Sequence, residues 1–281
     1  MEPDQLRAEV ERVLADLTDL GGRLGVDVRE TVAALRARAD DLSSPVRLPD
    51  APPVLGVDAC PGGWVGALLT GGRCQVLAGS SLARLVELAR ESAAVQVVGV
   101  DIPIGLPDAG RRQADVLVRR ELPGKGSSVF TTLTRAAYEA TTYAEARAAN
   151  LEATAGTEAM SAAAQSYALR ERILDADGYV RSGPPVAVVE VHPELSFARL
   201  AGEPVLAGKR TPEGQQARVA ALRAAGFPVP WLAAGPGYAV DDLLDACAAA
   251  WSAARVAVGT AECFPPVPEV FSDGVPAAIR A

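Results

Sequence analysis

Carboxylates follow two of the apolar runs that the sequence predicts to be buried strands. Asp58 comes directly after the run 54–57, and Asp101 comes directly after the run 95–100. In a sheet whose central strands are parallel, the carboxyl ends of those strands share one edge. We therefore expect the Asp58 and Asp101 carboxylates to meet at that edge.

Further acids fall where they can join this pair. Glu190 lies inside a third predicted strand, 186–192, and strand alternation puts His192 on the same face. Asp242 and Asp245 are three residues apart and therefore share one face of a predicted helix. The sequence thus predicts four or five carboxylates gathered at one sheet edge.

Carboxylates held that close repel one another unless a cation neutralises them, and hard oxygen ligands favour Mg²⁺ or Mn²⁺. Two such ions about 4 Å apart can activate a water and stabilise the leaving oxygen of a phosphodiester. His192 would shuttle a proton or orient an acid. The predicted catalytic groups are Asp58, Asp101, Glu190, Asp242 and His192. The predicted metal ligands are Asp58, Asp101, Glu190, Asp242 and Asp245.

Each of these residues also has an ordinary structural explanation. An acid at a strand end is more often a solvated turn residue or a helix cap, and Asp241 fits the N-cap of the last helix. A single histidine is more often packed or hydrogen-bonded than a metal ligand. The combination favours a metal site, because two acids follow long apolar runs and a third lies inside a strand.

Two loops carry groups that could bind phosphate. The loop 123–130 combines glycines with Lys125, Ser127 and Ser128, although it is not a nucleotide-binding P-loop. Only two of the 27 basic residues are lysines, and the second, Lys209, lies next to a predicted helix start. We predict that both lysines and both serines contact substrate.

Arg112 and Arg119 are predicted to share one face of the helix that follows Asp101. They are seven residues apart, and Asp115 lies between them. This face is either a phosphate clamp over the metal edge or a solvated surface with ion pairs inside the helix.

The order of elements predicts an α/β fold with a mixed sheet, built from residues 51–281. Residues 54–78 contain three short apolar runs joined by glycine-rich turns, which is typical of an antiparallel meander. The tail after Cys263 carries four prolines and is predicted to be irregular. Between them, the predicted elements are a helix over 81–90, a strand over 95–101, a mostly helical insertion over about 108–182, a strand over 186–192, and helices over 211–226 and 241–258.

Residues 1–50 are predicted to be a helical hairpin appended to that domain. Apolar residues recur every three or four positions over 6–20 and again over 28–42. Gly21-Gly22 is predicted to end the first helix, and 49–53 is predicted to be the linker. The expected role of the hairpin is an extra layer or a homo-oligomer contact, without chemistry.

Six segments of the chain carry a resemblance to a known family. They are 56-GVDACPGGWVGAL-68, 100-VDIPIGLP-107, 127-SSVF-130, 190-EVHPELSF-197, 209-KRTPEG-214 and 241-DDLLDACAAAW-251. In this order they resemble the motif series of a bacterial and archaeal domain-of-unknown-function family of predicted nucleases with the RNase H-like fold. The resemblance covers about residues 54–260.

The resemblance implies an RNase H-like sheet in which three antiparallel strands are followed by parallel ones, with the predicted metal ligands at its edge. The Asp242/Asp245 pair is also similar to the last helix of Holliday-junction resolvases, which belong to the same superfamily. This chain departs from the resolvases in its long helical insertion and in lacking a basic DNA-binding helix.

Charge and composition limit the partners. The net charge of −8 argues against a long basic groove for nucleic acid and against binding to anionic membranes. Nucleic acid or a nucleotide could still bind at a small local site. No apolar run is long enough to span a membrane, and the N-terminus is too charged for a signal peptide, which predicts a cytoplasmic protein. The four cysteines are far apart, so neither a zinc ribbon nor a disulfide framework is expected.

Three function classes follow. The first is a metal-dependent nuclease or phosphodiesterase that uses carboxylate-bound Mg²⁺ or Mn²⁺. The second is a non-catalytic regulatory or scaffold protein on the same fold. The third is a sugar-kinase-like phosphotransferase, which would also begin with a strand that ends in Asp before a glycine-rich turn. The chain has such a turn in 58-DACPGG-63, but it has neither a second phosphate motif nor a duplicated domain.

Overall fold

The computed structural model describes residues 3–24, 26–28, 31, 32, 48, 51–157 and 159–281. The chain divides into a unit of residues 1–46 and a unit of residues 47–281. All four cysteines lie in the described part and are free thiols. None of the described helices is both long enough and apolar enough to cross a membrane.

In the N-terminal unit, helix α1 spans Pro3–Leu24. The prediction that Gly21-Gly22 ends this helix is wrong, because the helix continues through both glycines. A Cβ atom on Gly21 would lie 2.6 Å from Cγ2 of Val28, so the glycine leaves room for the chain that returns beside it. Most of the second predicted helix and part of the linker lie outside the described residues, and the oligomer contact stays a prediction.

A seven-stranded mixed sheet forms the centre of the second unit, and it confirms the predicted α/β class. The first three strands form the predicted antiparallel meander, and β4, β5 and β7 extend the sheet in parallel with β1. The strand order is β3-β2-β1-β4-β5-β7-β6. The strands are β1 (Val54–Cys60), β2 (Gly63–Thr70), β3 (Arg73–Gly79), β4 (Val97–Val100), β5 (Ala187–Val191), β6 (Cys263–Val270) and β7 (Pro276–Arg280).

The C-terminal tail corrects the prediction of irregular structure. It forms the antiparallel pair β6–β7, in which β6 is the edge strand of the sheet and β7 pairs with β5. Three prolines, Pro265, Pro266 and Pro268, lie in β6. An edge strand tolerates proline because the backbone positions on its outer side have no ladder partner.

The helices of this unit lie in three connections: between β3 and β4, in the insertion between β4 and β5, and between β5 and β6. Two of the helix starts that we predicted are confirmed: Ser81 and Thr211 are N-caps whose side chains accept from the backbone N–H of Arg84 and Gly214. The helices are α2 (Leu82–Ser92), α3 (Gln113–Glu121), α4 (Arg135–Glu139), α5 (Tyr143–Thr154), α6 (Ala164–Ala168), α7 (Arg170–Arg181), α8 (Pro193–Ala201), α9 (Pro212–Ala224) and α10 (Val240–Ala257).

Helix α10 lies directly against the sheet backbone. A Cβ atom on Gly56 of β1 would lie 2.0 Å from the backbone nitrogen of Ala250, and one on Gly99 of β4 would lie 2.8 Å from the carbonyl oxygen of Ala249. Only glycine fits at such contacts, because the helix and strand backbones leave no room for a methyl group. This contact brings the first turns of α10 to the ends of β1 and β4.

Candidate metal centre

Three carboxylates meet at the edge where β1 and β4 end. Asp58 lies near the end of β1, Asp101 follows β4, and Asp245 lies on α10. One carboxylate oxygen of each residue lies within 4.8 Å of the corresponding oxygens of the other two. Asp58 is 6% exposed and Asp245 3%, whereas Asp101 is half-buried. We call these three residues the acidic triad.

Regular structure fixes the position of each member of the acidic triad. The backbone N–H of Asp101 donates to the carbonyl of Val57 at 2.9 Å, so the β1–β4 ladder extends to the carboxylate. Asp58 Oδ1 accepts from the backbone N–H of Ala59 at 2.7 Å. Asp245 belongs to the buried face of an 18-residue helix. Because Asp58 and Asp245 lie in regular elements and Asp101 directly follows β4, their separation is set by the packing of the core.

Burial and mutual repulsion disfavour the charged forms of the acidic triad. The pKa of Asp58 is raised well above its ordinary value, chiefly by burial and then by the charges of Asp101 and Asp245. The pKa of Asp101 is raised by burial and then by Asp245. Burial also raises the pKa of Asp245 to about 6, although a nearby ammonium opposes the shift. A divalent cation would relieve this repulsion.

That ammonium belongs to Lys209. Its Nζ lies 2.6 Å from Asp245 Oδ2 and 3.9 Å from Asp241 Oδ2. Burial would lower the pKa of the Lys209 ammonium, but the charge and hydrogen bond of Asp245 outweigh it and raise that pKa above the usual value. Lys209 was predicted to contact substrate, and in this structure it is the counter-ion of the acidic triad.

The donor set of the acidic triad fits a small, hard cation. Carboxylate oxygens are the ligands that Mg²⁺ and Mn²⁺ prefer, at bond lengths of about 2.0–2.2 Å. Oxygens on opposite sides of one such ion are a little over 4 Å apart, so the observed spread within 4.8 Å allows all three to share an ion. Among the described residues, Asp58, Asp101 and Asp245 are therefore the group that could hold a metal.

Asp242 lies close to the acidic triad but outside it. It lines the same cavity, and its Oδ2 accepts from the backbone N–H of Ala239 at 2.8 Å, which satisfies a free donor at the start of α10. The N-cap position belongs to Ala239, so the suggestion that Asp241 is the N-cap is wrong. Asp241 is buried and accepts from Arg210 Nε at 3.1 Å.

Glu190 is not brought into the acidic triad, which corrects its prediction as a ligand. Its two oxygens accept from Nη1 and Nη2 of Arg112 at 2.8 and 2.7 Å, and Oε2 also accepts from the backbone N–H of Ile104 at 2.8 Å. Arg112 is fully buried, and its Nη2 donates to Asp115 at 2.6 Å as well. The prediction that Arg112 contacts substrate is therefore wrong, because its guanidinium is enclosed by protein carboxylates.

Contacts of Arg119 and Lys125 hold the loop 123–130 in place. Arg119 Nη2 donates to the carbonyl of Val129 at 2.6 Å. Lys125 Nζ lies 3.5 Å from Glu194 Oε1, and Ser127 is exposed. Of the predicted contacts in this loop, Ser128 is the one that lines the cavity over the acidic triad, as far as the described residues go.

His192 follows β5 and lines the same cavity. Its Nε2 lies 3.4 Å from the carbonyl oxygen of Ser128. Burial lowers the pKa of His192 below its ordinary value of 6.5, so the neutral imidazole is favoured at neutral pH.

The acidic triad forms the floor of a cavity of about 670 Å³. Sequence reasoning missed part of its wall, which comes from the helical insertion: Leu169, Glu171 and Arg172. Arg172 Nη2 donates to the carbonyl of Cys60 at 3.1 Å and thereby joins the insertion to the end of β1. No local pattern distinguishes Arg172 from other arginines of the insertion, so its position could not be found without the fold.

Comparison with known proteins gave one match. A family model described as "Protein of unknown function (DUF429)" matches residues 56–270, a range that contains the whole acidic triad. Neither the curated proteins nor the solved structures that were searched gave a match.

Proposed function

The chain belongs to DUF429, a family of proteins of unknown function, and from the chemistry of its acidic cavity we propose that it is a metal-dependent nuclease or phosphodiesterase of the RNase H-like superfamily. One observation carries the proposal: two buried carboxylates, on β1 and α10, and a half-buried one at the end of β4 lie within 4.8 Å of one another on the floor of a cavity. The order of an antiparallel meander followed by parallel strands supports the RNase H-like relationship that the sequence resemblance implies.

Asp58, Asp101 and Asp245 would hold one or two Mg²⁺ or Mn²⁺ ions. When bound, such ions activate a water for attack on phosphorus and stabilise the charge of the leaving oxygen. Asp242 lies beside the site and adds negative charge to it. Lys209 offsets part of the charge of the acidic triad in the metal-free protein and offers an ammonium to a substrate phosphate once a metal has replaced it.

The cavity favours a short substrate. Its volume of about 670 Å³ lies within the roughly 300–1,000 Å³ of small-molecule sites. Cationic side chains in its lining are Lys209, Arg210 and Arg172, a local group rather than a long basic groove. We propose that the site takes one or two nucleotides, either free or at the end of a single strand.

The direct test is cleavage by the purified protein with Mn²⁺. We expect a labelled single-stranded oligonucleotide to be cut at least about tenfold faster than the same sequence in a duplex, because the cavity cannot enclose a duplex. Chelation of the metal by EDTA should stop the reaction. Activity should fall as the pH drops below about 6, since protons on Asp245, whose pKa is about 6, compete with the metal. Failure to cleave DNA, RNA and small phosphodiesters under conditions where Mn²⁺ binds would favour the regulatory alternative.

Replacing Lys209 with Met should tighten metal binding. Unit charges 4 Å apart interact by several kcal/mol even at an effective dielectric constant of 20, so loss of the ammonium should raise Mn²⁺ affinity by about tenfold or more. Isothermal titration without substrate measures this effect. The matched control is Lys125→Met, which removes an ammonium that faces Glu194 instead of the acidic triad. Equal affinity changes in the two variants would contradict the role of Lys209.

A further inference from the structure

A second, smaller cavity lies behind the candidate metal centre. It measures about 20 Å³. Asp101, Ile102, Phe130 and His192 line both cavities and therefore form the wall between them. We call the smaller one the rear cavity.

Two buried polar atoms on residues that line the rear cavity lack a hydrogen-bond partner among the described residues. They are Oγ1 of Thr132 and Nδ1 of His192. Thr132 is fully buried, and its backbone N–H is already satisfied by Asp115 Oδ2 at 2.8 Å. Nearly all buried polar atoms of native proteins find a partner, protein or water, so two such atoms at one cavity need an explanation.

We infer that the rear cavity binds one water molecule, which bridges the hydroxyl of Thr132 and Nδ1 of His192. A site needs roughly 10–15 Å³ and two to four polar partners to hold a water, and about 20 Å³ meets the first requirement. Thr132 and His192 supply two partners. Glu190 also lines the rear cavity, and its Oε1 accepts from Arg112 through one lone pair, which leaves the other for a third bond.

The contact with the Ser128 carbonyl assigns the tautomer of His192 and, with it, the orientation of the bridging water. The carbonyl of Ser128 can only accept a hydrogen bond, so Nε2 of His192, 3.4 Å away, must carry the proton of the neutral ring. Nδ1 is then the acceptor. The water donates one O–H to Nδ1 and the other to Glu190, and it accepts from the Thr132 hydroxyl.

This assignment makes His192 a positioning residue. It ties the carbonyl of Ser128, a residue that lines the main cavity, to the end of β5 through a ring that cannot rotate without breaking the bond to the water. The role differs from the proton shuttle that the sequence suggested, because Nε2 is engaged with a carbonyl and Nδ1 is buried and, in this assignment, bonded to the water.

The single histidine of the chain allows a direct spectroscopic test on the intact, metal-free protein. A long-range ¹H–¹⁵N spectrum of protein labelled at histidine reports the imidazole nitrogens without any assignment step. We expect the Nε2–H tautomer in the wild type, and a shift of the Nδ1 resonance towards that of an unbonded nitrogen in Thr132→Val. Thr131→Val is the matched control, because its hydroxyl accepts from Arg119 instead, and it should leave the spectrum unchanged.

Thermal unfolding is an independent test, because the two possibilities predict opposite shifts of the unfolding midpoint. If the Thr132 hydroxyl bonds to a water, Thr132→Val lowers the unfolding midpoint, whereas removal of an unpartnered buried hydroxyl would raise it. An Nδ1–H tautomer in the wild type, or a midpoint above that of the wild type in Thr132→Val, overturns the inference. If Thr132→Val does not fold, two measurements still test the inference. The wild-type spectrum reports the tautomer, and Thr132→Ser, which keeps the hydroxyl, should keep the wild-type Nδ1 shift. Neither readout depends on nuclease activity.

Discussion

Replacing Asp58 with Asn should lower Mn²⁺-dependent cleavage by at least about 100-fold. Loss of a group that only supports a metal ligand already costs about 10–100-fold in metal affinity or activity, and Asp58 is proposed as a ligand itself. Initial rates on a single-stranded oligonucleotide measure the effect. Glu87→Gln, which removes an exposed carboxylate of α2, is the control that should keep wild-type rates.

The same substitution should stabilise the metal-free protein. A carboxyl group whose pKa is raised in the folded state lets that state bind more protons than the unfolded chain, so stability falls as the pH rises above about 3.8 and the penalty is present at neutral pH. Asn at position 58 removes this penalty. The unfolding midpoint of Asp58→Asn without metal should therefore exceed that of the wild type.

With Mn²⁺ the wild type should become more stable than Asp58→Asn, the reverse of the order expected without metal. A ligand at 100 times its dissociation constant stabilises the folded state by about 2.7 kcal/mol, and the wild type should gain this from Mn²⁺ while Asp58→Asn gains much less. Thermal melts with and without Mn²⁺ measure both gains. Equal gains, or full cleavage activity in the variant, would show that Asp58 does not hold the metal.

Replacing Arg112 with Met should destabilise the protein by about 3–5 kcal/mol. The substitution leaves two buried carboxylates, Glu190 and Asp115, without their shared guanidinium, and an uncompensated buried charge costs about that much. Urea unfolding monitored by circular dichroism measures the loss. Arg84→Met breaks an exposed ion pair of α2 and should change stability little.

Glu190→Gln separates the structural role of this residue from the ligand role that the sequence suggested. The amide preserves the shape of the side chain, and Arg112 keeps Asp115, so the loss of stability should be smaller than in Arg112→Met. Metal-dependent cleavage should persist at temperatures where the variant is folded. A loss of activity as large as in Asp58→Asn, with the fold retained, would restore Glu190 as a ligand.

The members of the acidic triad could be named from the sequence because each follows from a local periodicity. Four or more apolar residues before Asp58 and Asp101 predict adjacent buried strands, and parallel pairing then brings their ends together. Asp245 follows from the helical spacing of the last apolar helix. Each of these patterns spans about ten residues, so it can be recognised without knowledge of the fold.

Partners that lie far apart in the chain could not be predicted in the same way. Glu190 has the strand position of a ligand, but Arg112, 78 residues earlier, occupies both of its oxygens. Lys209 stood out as one of two lysines, yet its pairing with Asp245, 36 residues later, depends on how α9 and α10 pack. The strand β6 was missed because its prolines argue against a strand, and only the sheet order shows that it is an edge.

The glycine contacts under α10 have a consequence for ion size. Gly56 and Gly99 bring the helix backbone as close to β1 and β4 as chains can approach, and the helix residues at this contact are alanines. A bulkier residue there would lift α10, carry Asp245 away from Asp58 and Asp101, and widen the gap between their oxygens. A wider gap suits Ca²⁺, at about 2.3–2.6 Å from its ligands, better than Mg²⁺, at about 2.0–2.1 Å. In the proposed site, discrimination between these ions therefore originates in the smallest side chains of the core, which never touch the ion.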